Sequence, residues 1–165
     1  MPPLILDTAQ AFYEFLTTDA AAASIRNTII KVGGVAQIYY AGDVIPTVLN
    51  DAENARAAGD KLSLCLSVRD MGERLTEHPD RTMQSVMLYI YDRRRGYSNI
   101  RTTRDAIQQI FPPLGESRIT LTVGQKRGIL YLSWGGRAGH RADHERLQVD
   151  YDAIVYTAQV VYDID

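Results

Sequence analysis

The segment HRADH, residues 140–144, brings together residue types that are common metal ligands. Imidazole nitrogens and carboxylate oxygens bind zinc and related ions, and His140 and His144 would share one face if the segment were helical. No glutamate follows the first histidine, so the pattern of the zinc proteases is absent. Three glycines precede the segment, which favours a solvated loop or a polar contact with another chain. We therefore predict no metal site and keep a small metal-dependent enzyme as a distant alternative.

The rest of the sequence contains no motif for covalent catalysis or cofactor binding. Cys65 is the single cysteine and lies in the apolar run LSLCLSV, so we predict a buried thiol and no disulfide within the chain. His78 has no serine or cysteine motif around it that would support nucleophilic catalysis. Gly33 and Gly34 lack the spacing of nucleotide-binding loops. The sequence thus predicts neither an enzyme nor a bound cofactor.

The strongest charge run is in residues 86–100, VMLYIYDRRRGYSNI, where three arginines follow an apolar strand. A solvated turn, a contact with an acidic partner and a contact with DNA phosphate are all compatible with it. The net charge of −2 lacks the basic excess that is usual in dedicated nucleic-acid binders. Tyr97 is the only aromatic residue beside the arginines that could stack on a base. An acidic partner is therefore favoured, with passing DNA second.

Tyrosine is abundant, with ten in the chain, and most of them fall in strand-like segments. Protein interfaces are rich in tyrosine, and β-propensity explains the pattern equally well, so both interpretations remain open. In the strand predicted at 84–91, aliphatic residues alternate with a second apolar set, so both faces should be covered. We expect a helix on one side and another copy of the chain on the other. The candidate subunit interface comprises Met87, Tyr89 and Tyr91.

The periodicity of apolar residues places these segments on a small set of elements. Helices are predicted from Asp7, over 20–30, and from Ser98 to about Phe111. Strands are predicted at 35–41, 62–68, 84–91, 119–123, 128–134 and 147–162. This order predicts an α+β fold: a mainly antiparallel sheet with helices packed on one face. Most links between strands are too short for parallel crossovers.

The length of 165 residues predicts a single domain, 1–165, that can bury its own core. Its polar stretches predict long loops near 43–61, 69–83 and 135–146. Asp150 and Asp152 fall on one face of the last strand, which we interpret as a half-solvated strand end rather than an acid–base pair.

Nothing in the sequence predicts export or a membrane. The amino-terminal residues lack the basic segment of a signal peptide, and no run approaches the ~20 apolar residues of a membrane span. We therefore expect a protein that is made and kept under cytosol-like conditions.

Several stretches together resemble the tail terminator and tail completion proteins of long-tailed bacteriophages. They are AFYEFLTTDAAAASI, GGVAQIYYAGDVIP, LCLSVRDMG, VMLYIYDRRRGYSNIRTTRDAIQQIF and GHRADHERLQVDYDAIVYTAQV. In that family a turn with an aspartate and a Gly-Tyr pair commonly precedes a helix of the form "I..I.D.I...L", here residues 100–111 with Asp105 in the middle. A polar loop with an arginine then leads into a long final strand. The resemblance extends over residues 8–162.

The resemblance implies a structural virion protein of the tail or neck that is assembled in the host cytoplasm. Family members form a ring, typically of six copies, on the head-proximal end of the tail tube. The ring ends tube polymerisation and docks to the head connector, and the genome passes through its lumen without sequence-specific binding. A neck or head-completion ring protein is the alternative within this class. Candidate partner-facing or DNA-facing residues are Arg93, Arg94, Arg95, Tyr97, Arg137, His140 and Arg141.

Overall fold

The structure, a computed structural model, describes residues 8–40, 64–75, 81–93, 97–123, 126–137, 141–143 and 149–162. The helices are α1 (Thr8–Thr18), a 3-10 turn (Ala20–Ala22), α2 (Ala23–Arg26) and α3 (Tyr97–Ile110). The first strands are β1 (Lys31–Val32), β2 (Val35–Ala36), β3 (Ile38–Tyr40), β4 (Cys65–Leu75) and β5 (Arg81–Arg93). The remaining strands are β6 (Glu116–Val123), β7 (Lys126–Arg137), β8 (Arg141–Asp143) and β9 (Val149–Tyr162).

Seven strands form one sheet in the order β3-β4-β5-β9-β7-β6, with β8 paired to β9. The β3–β4 pair is parallel and all other pairs of this sheet are antiparallel. The strands β1 and β2 form a separate small hairpin whose turn holds Gly33 and Gly34 at positive φ. The predicted α+β class with a mainly antiparallel sheet is confirmed.

The longest pairing in the sheet joins β5 to β9. It is continuous from Arg81 opposite Val161 to Arg93 opposite Val149. Because side chains alternate along a strand, this register assigns every residue of both strands to one of two faces. Ile90 and Ile154 lie on the face that carries the helices, where both side chains are fully buried.

An aromatic cluster joins the helices to that face of the sheet. The ring of Phe12 in α1 meets the ring of Phe111 at 5.2 Å and that of Tyr156 at 6.0 Å, both edge to face. Trp134 of β7 meets Tyr156 from another side at 5.7 Å. Tyr156 is 1% exposed, and its hydroxyl donates to the carbonyl of Phe111 at 3.1 Å, directly after the end of α3. One β9 side chain therefore contacts α1, β7 and the residue that follows α3.

The predicted helix over 20–30 is replaced by a 3-10 turn and the short helix α2. The carboxylate of Asp19 accepts a hydrogen bond from the amide of Ala21 at 2.8 Å, which caps the turn. At the other end the hydroxyl of Thr28 donates to the carbonyl of Ile25 at 2.7 Å. Such local hydrogen bonds compete with a continuing helix, so the helical segment ends early.

The loop predicted near 69–83 is wrong over most of its length. β4 continues to Leu75 and β5 begins at Arg81, so the two strands extend as a hairpin, with an irregularity between Asp70 and Glu73. Their sequences there are polar at most positions and lack the apolar alternation that marks a half-buried strand. Backbone pairing, which needs no particular side chain, continues where the hydrophobic signal stops.

The loop predicted near 135–146 is likewise shorter than expected. β7 runs to Arg137 through a bulge between Trp134 and Gly136, and Gly136 has a φ of 133°. A side chain at Gly135 would place its Cβ 3.0 Å from the carbonyl oxygen of Val155, so the glycine allows the close approach of β9. Residues 43–61 lie outside the described residues.

Among the residues that the structure describes, no helix combines the length and apolar character that crossing a bilayer requires.

We expect Tyr156→Phe to destabilise the fold by about 1 kcal/mol at pH 7, because one buried hydrogen bond is lost. Burial also raises the pKa of Tyr156 above its ordinary value. The unfolded chain therefore ionises first as the pH rises, and this residue's contribution to stability, complete below pH 10, declines above it. The phenylalanine variant should lose less stability between pH 8 and 11.

Urea unfolding across that pH range measures both effects, with Tyr131→Phe on the opposite face as the matched control. Tyr131 is half-buried, and its substitution should change stability by less than about 0.5 kcal/mol. An equal pH slope in the wild type and Tyr156→Phe would contradict the assignment.

Candidate functional site

The second face of the sheet is lined with tyrosines. The pairing places Tyr39 opposite Ser67, Tyr91 opposite Tyr151, and Tyr131 opposite Gln159, all on the side away from the core cluster. We call this side the tyrosine face, and its tyrosines are Tyr39, Tyr89, Tyr91, Tyr131 and Tyr151. The described helices pack on the opposite side of the sheet, so none of them covers this face.

Three of these rings form one contact group across β5 and β9. Tyr89 and Tyr91 stack with their ring centroids 5.7 Å apart and their planes 11° from parallel. Tyr151 lies 6.2 Å from Tyr89 and 5.9 Å from Tyr91. Tyr89 and Tyr151 remain half-buried, whereas Tyr91 is only 6% exposed. The group therefore presents tyrosine side chains at its surface and buries one tyrosine beneath them.

Arg69 of β4 completes this group with a cation. Its guanidinium lies 4.7 Å from the centroid of the Tyr89 ring, and Nη2 donates to the hydroxyl of Tyr91 at 3.5 Å. Two buried polar atoms among the described residues have no hydrogen-bond partner, and both lie on β4: Nε of Arg69 and Oγ of Ser67. Native folds leave few such atoms unpaired, so these two mark an unusual place on the sheet.

Cys65 begins the same row of β4 and lies opposite Tyr91. It is 2% exposed, and the prediction of a buried thiol is confirmed. Burial, with a smaller contribution from the charge of Asp92, raises the pKa of the thiol to about 12. The thiol is therefore protonated at neutral pH and unsuited to act as a nucleophile.

A second polar cluster lies between α3 and the sheet, on the helix side. Nη1 of Arg104 lies 3.5 Å from a carboxylate oxygen of Asp152, which is fully buried, and 3.4 Å from the hydroxyl of Tyr97. Nη2 of Arg104 also contacts the half-exposed Asp105 at 3.1 Å. The other oxygen of Asp152 accepts from the amide of Ala153 at 2.9 Å. The contact of Arg104 with Asp152 joins the middle of α3 to β9.

The interpretation of Asp150 and Asp152 as a half-solvated strand end is wrong. Asp150 is 3% exposed and Asp152 is 0% exposed. Asp92 pairs with Asp150 across the strands and accepts from the side-chain amide of Asn99 at 2.8 Å. The helix α3 covers this end of the sheet and supplies the polar partners that alternation along one strand cannot reveal.

The predicted partner-facing residues are only partly described. Tyr97 begins α3 and is half-buried, with its hydroxyl near Arg104 on the helix side of the sheet. The backbones of Arg93, Arg137 and Arg141 lie in β5, β7 and β8. The remaining three, Arg94, Arg95 and His140, lie outside the described residues. The arginine whose contact with Tyr97 is described is Arg104, which lies outside the predicted set.

The predicted subunit interface falls on the tyrosine face. Met87 and Tyr89 are half-buried there, and Tyr91 is enclosed by its neighbours. Nothing in the sequence singles out Arg69, since the polar stretch that begins there favours a loop, or Ser67, since a serine on a strand carries no charge signal. The alternation of LSLCLSVR extends to Arg69 and could have placed all three side chains, including Cys65, on one face.

Within the part of the chain that the structure describes, no three histidine, cysteine, aspartate or glutamate side chains are arranged to hold a metal ion. The candidates His140 and His144 lie outside that part. An open cavity of about 420 Å³ lies between α1, α2 and the β1–β2 hairpin, and its lining includes Arg26 and Lys31. Arg26 already donates to the carbonyl of Leu16 at 2.9 Å. This cavity therefore shows no assembled catalytic group.

No protein-family model matches the sequence, and a search of curated proteins finds no significant match. The candidate roles therefore depend on this chain's own residues and their geometry, together with the resemblance described above.

We expect Cys65 to resist thiol reagents in the folded protein at pH 8, because the buried thiol is protonated and enclosed. Ellman's reagent should detect no thiol in the native state and one in denaturant.

The raised pKa of the Cys65 thiol also makes stability depend on pH. The thiol's contribution to the free energy of unfolding is complete below pH 9 and declines as the pH rises toward 12. Cys65→Ala should reduce that alkaline loss, and rapid native labelling would contradict the assignment.

Arg104→Ala should destabilise the fold by about 3–5 kcal/mol, because it leaves the buried Asp152 without its cation. Asp105→Ala provides the control, since Asp105 has a half-exposed side chain, and it should cost less than about 1 kcal/mol. Adding Asp152→Asn to Arg104→Ala should recover part of the loss. Urea unfolding of the four proteins tests this, and equal effects at Arg104 and Asp105 would refute it.

Proposed function

We propose that the chain is a structural, self-assembling subunit that forms a ring at the head-proximal end of a phage tail tube. In this role it ends tube polymerisation, docks to the head connector and encloses the passing genome. The proposal combines the resemblance to tail terminator proteins with one observation in the structure. That observation is the tyrosine face, whose tyrosines and arginine have no described helix over them.

The tyrosine face has the composition of a protein interface. Tyrosine and arginine are enriched at the energetically important positions of interfaces, and both occur here in contact with each other. A sheet whose second face met only water would carry mainly polar side chains there. Instead Met87, Tyr89, Tyr151 and Val155 are all half-buried apolar or aromatic residues on adjacent strands.

The enzyme alternative receives less support from the described residues. The cysteine thiol is protonated and buried, and the buried carboxylates of Asp92 and Asp152 accept hydrogen bonds within the fold. Asn99 and Arg104 of α3 contact these two carboxylates, so the two acids help to hold α3 on the sheet. A ring protein needs no reactive group, whereas it does need surfaces for its neighbours.

Sedimentation velocity and native mass spectrometry of the purified full chain test the proposal, with electron microscopy to detect a ring with a central opening. We expect a closed oligomer that dissociates on dilution or when the tyrosine face is truncated. Met87→Ala combined with Tyr89→Ala should weaken self-association about tenfold or more, as loss of a central interface contact does.

Leu114→Ala is the matched control for that truncation. Leu114 is a large apolar residue that is 85% exposed between α3 and β6 and belongs to neither of the paired strands that carry Met87 and Tyr89. Its loss should leave assembly unchanged. A protein that stays monomeric up to about 100 μM, alone and when mixed with a tail tube protein, would overturn the proposal. Capture by a connector protein but not by a tube protein would favour the neck-ring alternative.

A further inference from the structure

The cavity between α1, α2 and the β1–β2 hairpin carries positive charge. Its lining includes Arg26 and Lys31, and none of its lining residues is acidic. Arg26 is half-buried, and its Nη1 donates to the carbonyl of Leu16 at 2.9 Å, which holds the side chain against α1. Neither cation forms an ion pair with another residue that the structure describes. The cavity is therefore suited to an anionic ligand.

The lining also has an apolar part. It comprises Val35, Ala36 and Ile38 from the strands β2 and β3, and Val35 is 66% exposed. A docking apolar side chain would remove this surface from water, which is favourable. Binding pockets commonly combine an apolar lining with a few polar groups that fix the orientation of the ligand. The cavity therefore favours a peptide segment that carries both acids and an apolar side chain over a DNA phosphate.

A segment of this kind follows β9 in the sequence. After Tyr162, the last residue of β9, the chain continues with Asp163, Ile164 and Asp165, which we call the DID segment. Two carboxylates flank one apolar side chain there, and this order complements two cations beside an apolar lining. Because the segment follows β9 directly, the register of the sheet fixes the point from which it starts.

The DID segment cannot reach the cavity of its own copy. Ile38, which lines the cavity, lies opposite Leu66, and the pairing continues through Ile90 to Asp152 of β9. Tyr162 is ten residues beyond Asp152, or about 33 Å along the strand at ~3.3 Å per residue. Three further residues span at most about 11 Å. A contact would therefore join opposite ends of the sheets of two copies, and such a heterologous contact can repeat around a ring.

We propose that the DID segment of one copy occupies this cavity in the next copy, an inference that rests on the proposed ring. Its two carboxylates contact Arg26 and Lys31, and its isoleucine covers the apolar part of the lining. Because the two ends of the sheet that meet are different, the contact gives every copy the same direction around the ring.

A charge exchange in the full chain tests this contact by sedimentation velocity. Lys31→Glu should weaken self-association about tenfold, and so should Asp163→Asn combined with Asp165→Asn. Lys31→Glu combined with Asp163→Lys or with Asp165→Lys should restore most of the lost affinity in one of the two combinations. Arg101→Glu is the matched control, because Arg101 is exposed on α3 outside the cavity and the same change in charge there should leave association unchanged.

Disulfide formation provides a second test that does not depend on charge. In Lys31→Cys combined with Ile164→Cys, mild oxidation should link copies into a ladder on a non-reducing gel, since the native Cys65 is buried. Arg101→Cys combined with Ile164→Cys should form no ladder. Absence of linking in the first variant, or equal linking in both, would overturn the contact.

The failures of the two proposals differ. A wild-type protein that never associates overturns the ring itself, whereas a ring that is indifferent to Lys31→Glu and to Asp163→Asn with Asp165→Asn overturns only the docking of the DID segment. Weaker association in Lys31→Glu with the aspartate variant unaffected overturns the DID segment as the occupant. If Lys31→Glu abolishes binding of double-stranded DNA and leaves assembly intact, the cavity is a phosphate site and the proposal is wrong.

Discussion

The pairing of β5 with β9 is the constraint on which the rest of the structure depends. Its unbroken register decides which side chains of the two central strands meet the helices and which form the tyrosine face. A slip by one residue would exchange the two sets, placing Tyr89 under α1 and Ile90 on the opposite side. The buried apolar residues oppose such a slip, and so does the ion pair from Arg104 to Asp152, since a one-residue shift would turn that carboxylate away from α3.

The two faces satisfy their polar groups differently. On the helix side, buried Asp92 and Asp152 accept hydrogen bonds from Asn99 and Ala153 within the same chain. On the tyrosine face, the hydroxyl of Ser67 and Nε of Arg69 make none. Among the described residues, the two faces therefore differ in how completely their buried polar atoms are paired.

Sequence periodicity was sufficient for the fold class and for α3, where Ile100, Thr103, Arg104 and Ile107 all fall on the buried stripe. Periodicity could not predict features that depend on residues far away in the sequence. Strand pairing from Asp70 to Leu75 has no apolar alternation to reveal it, and burial of Asp150 and Asp152 depends on a helix that comes some forty residues earlier. Arg69 gained significance only when its strand placed it beside Tyr89, since an isolated arginine in a sequence indicates a solvated side chain.

The single tryptophan of the chain has an optical consequence. Trp134 contacts Tyr156 on the helix side of the sheet, where its indole receives excitation energy from the buried phenol and senses the packing of the core. The described aromatic residues of the opposite side are all tyrosines, which emit weakly and at shorter wavelength. Selective excitation of the indole therefore reports the packing of the helix side of the sheet separately from the tyrosines of the opposite side.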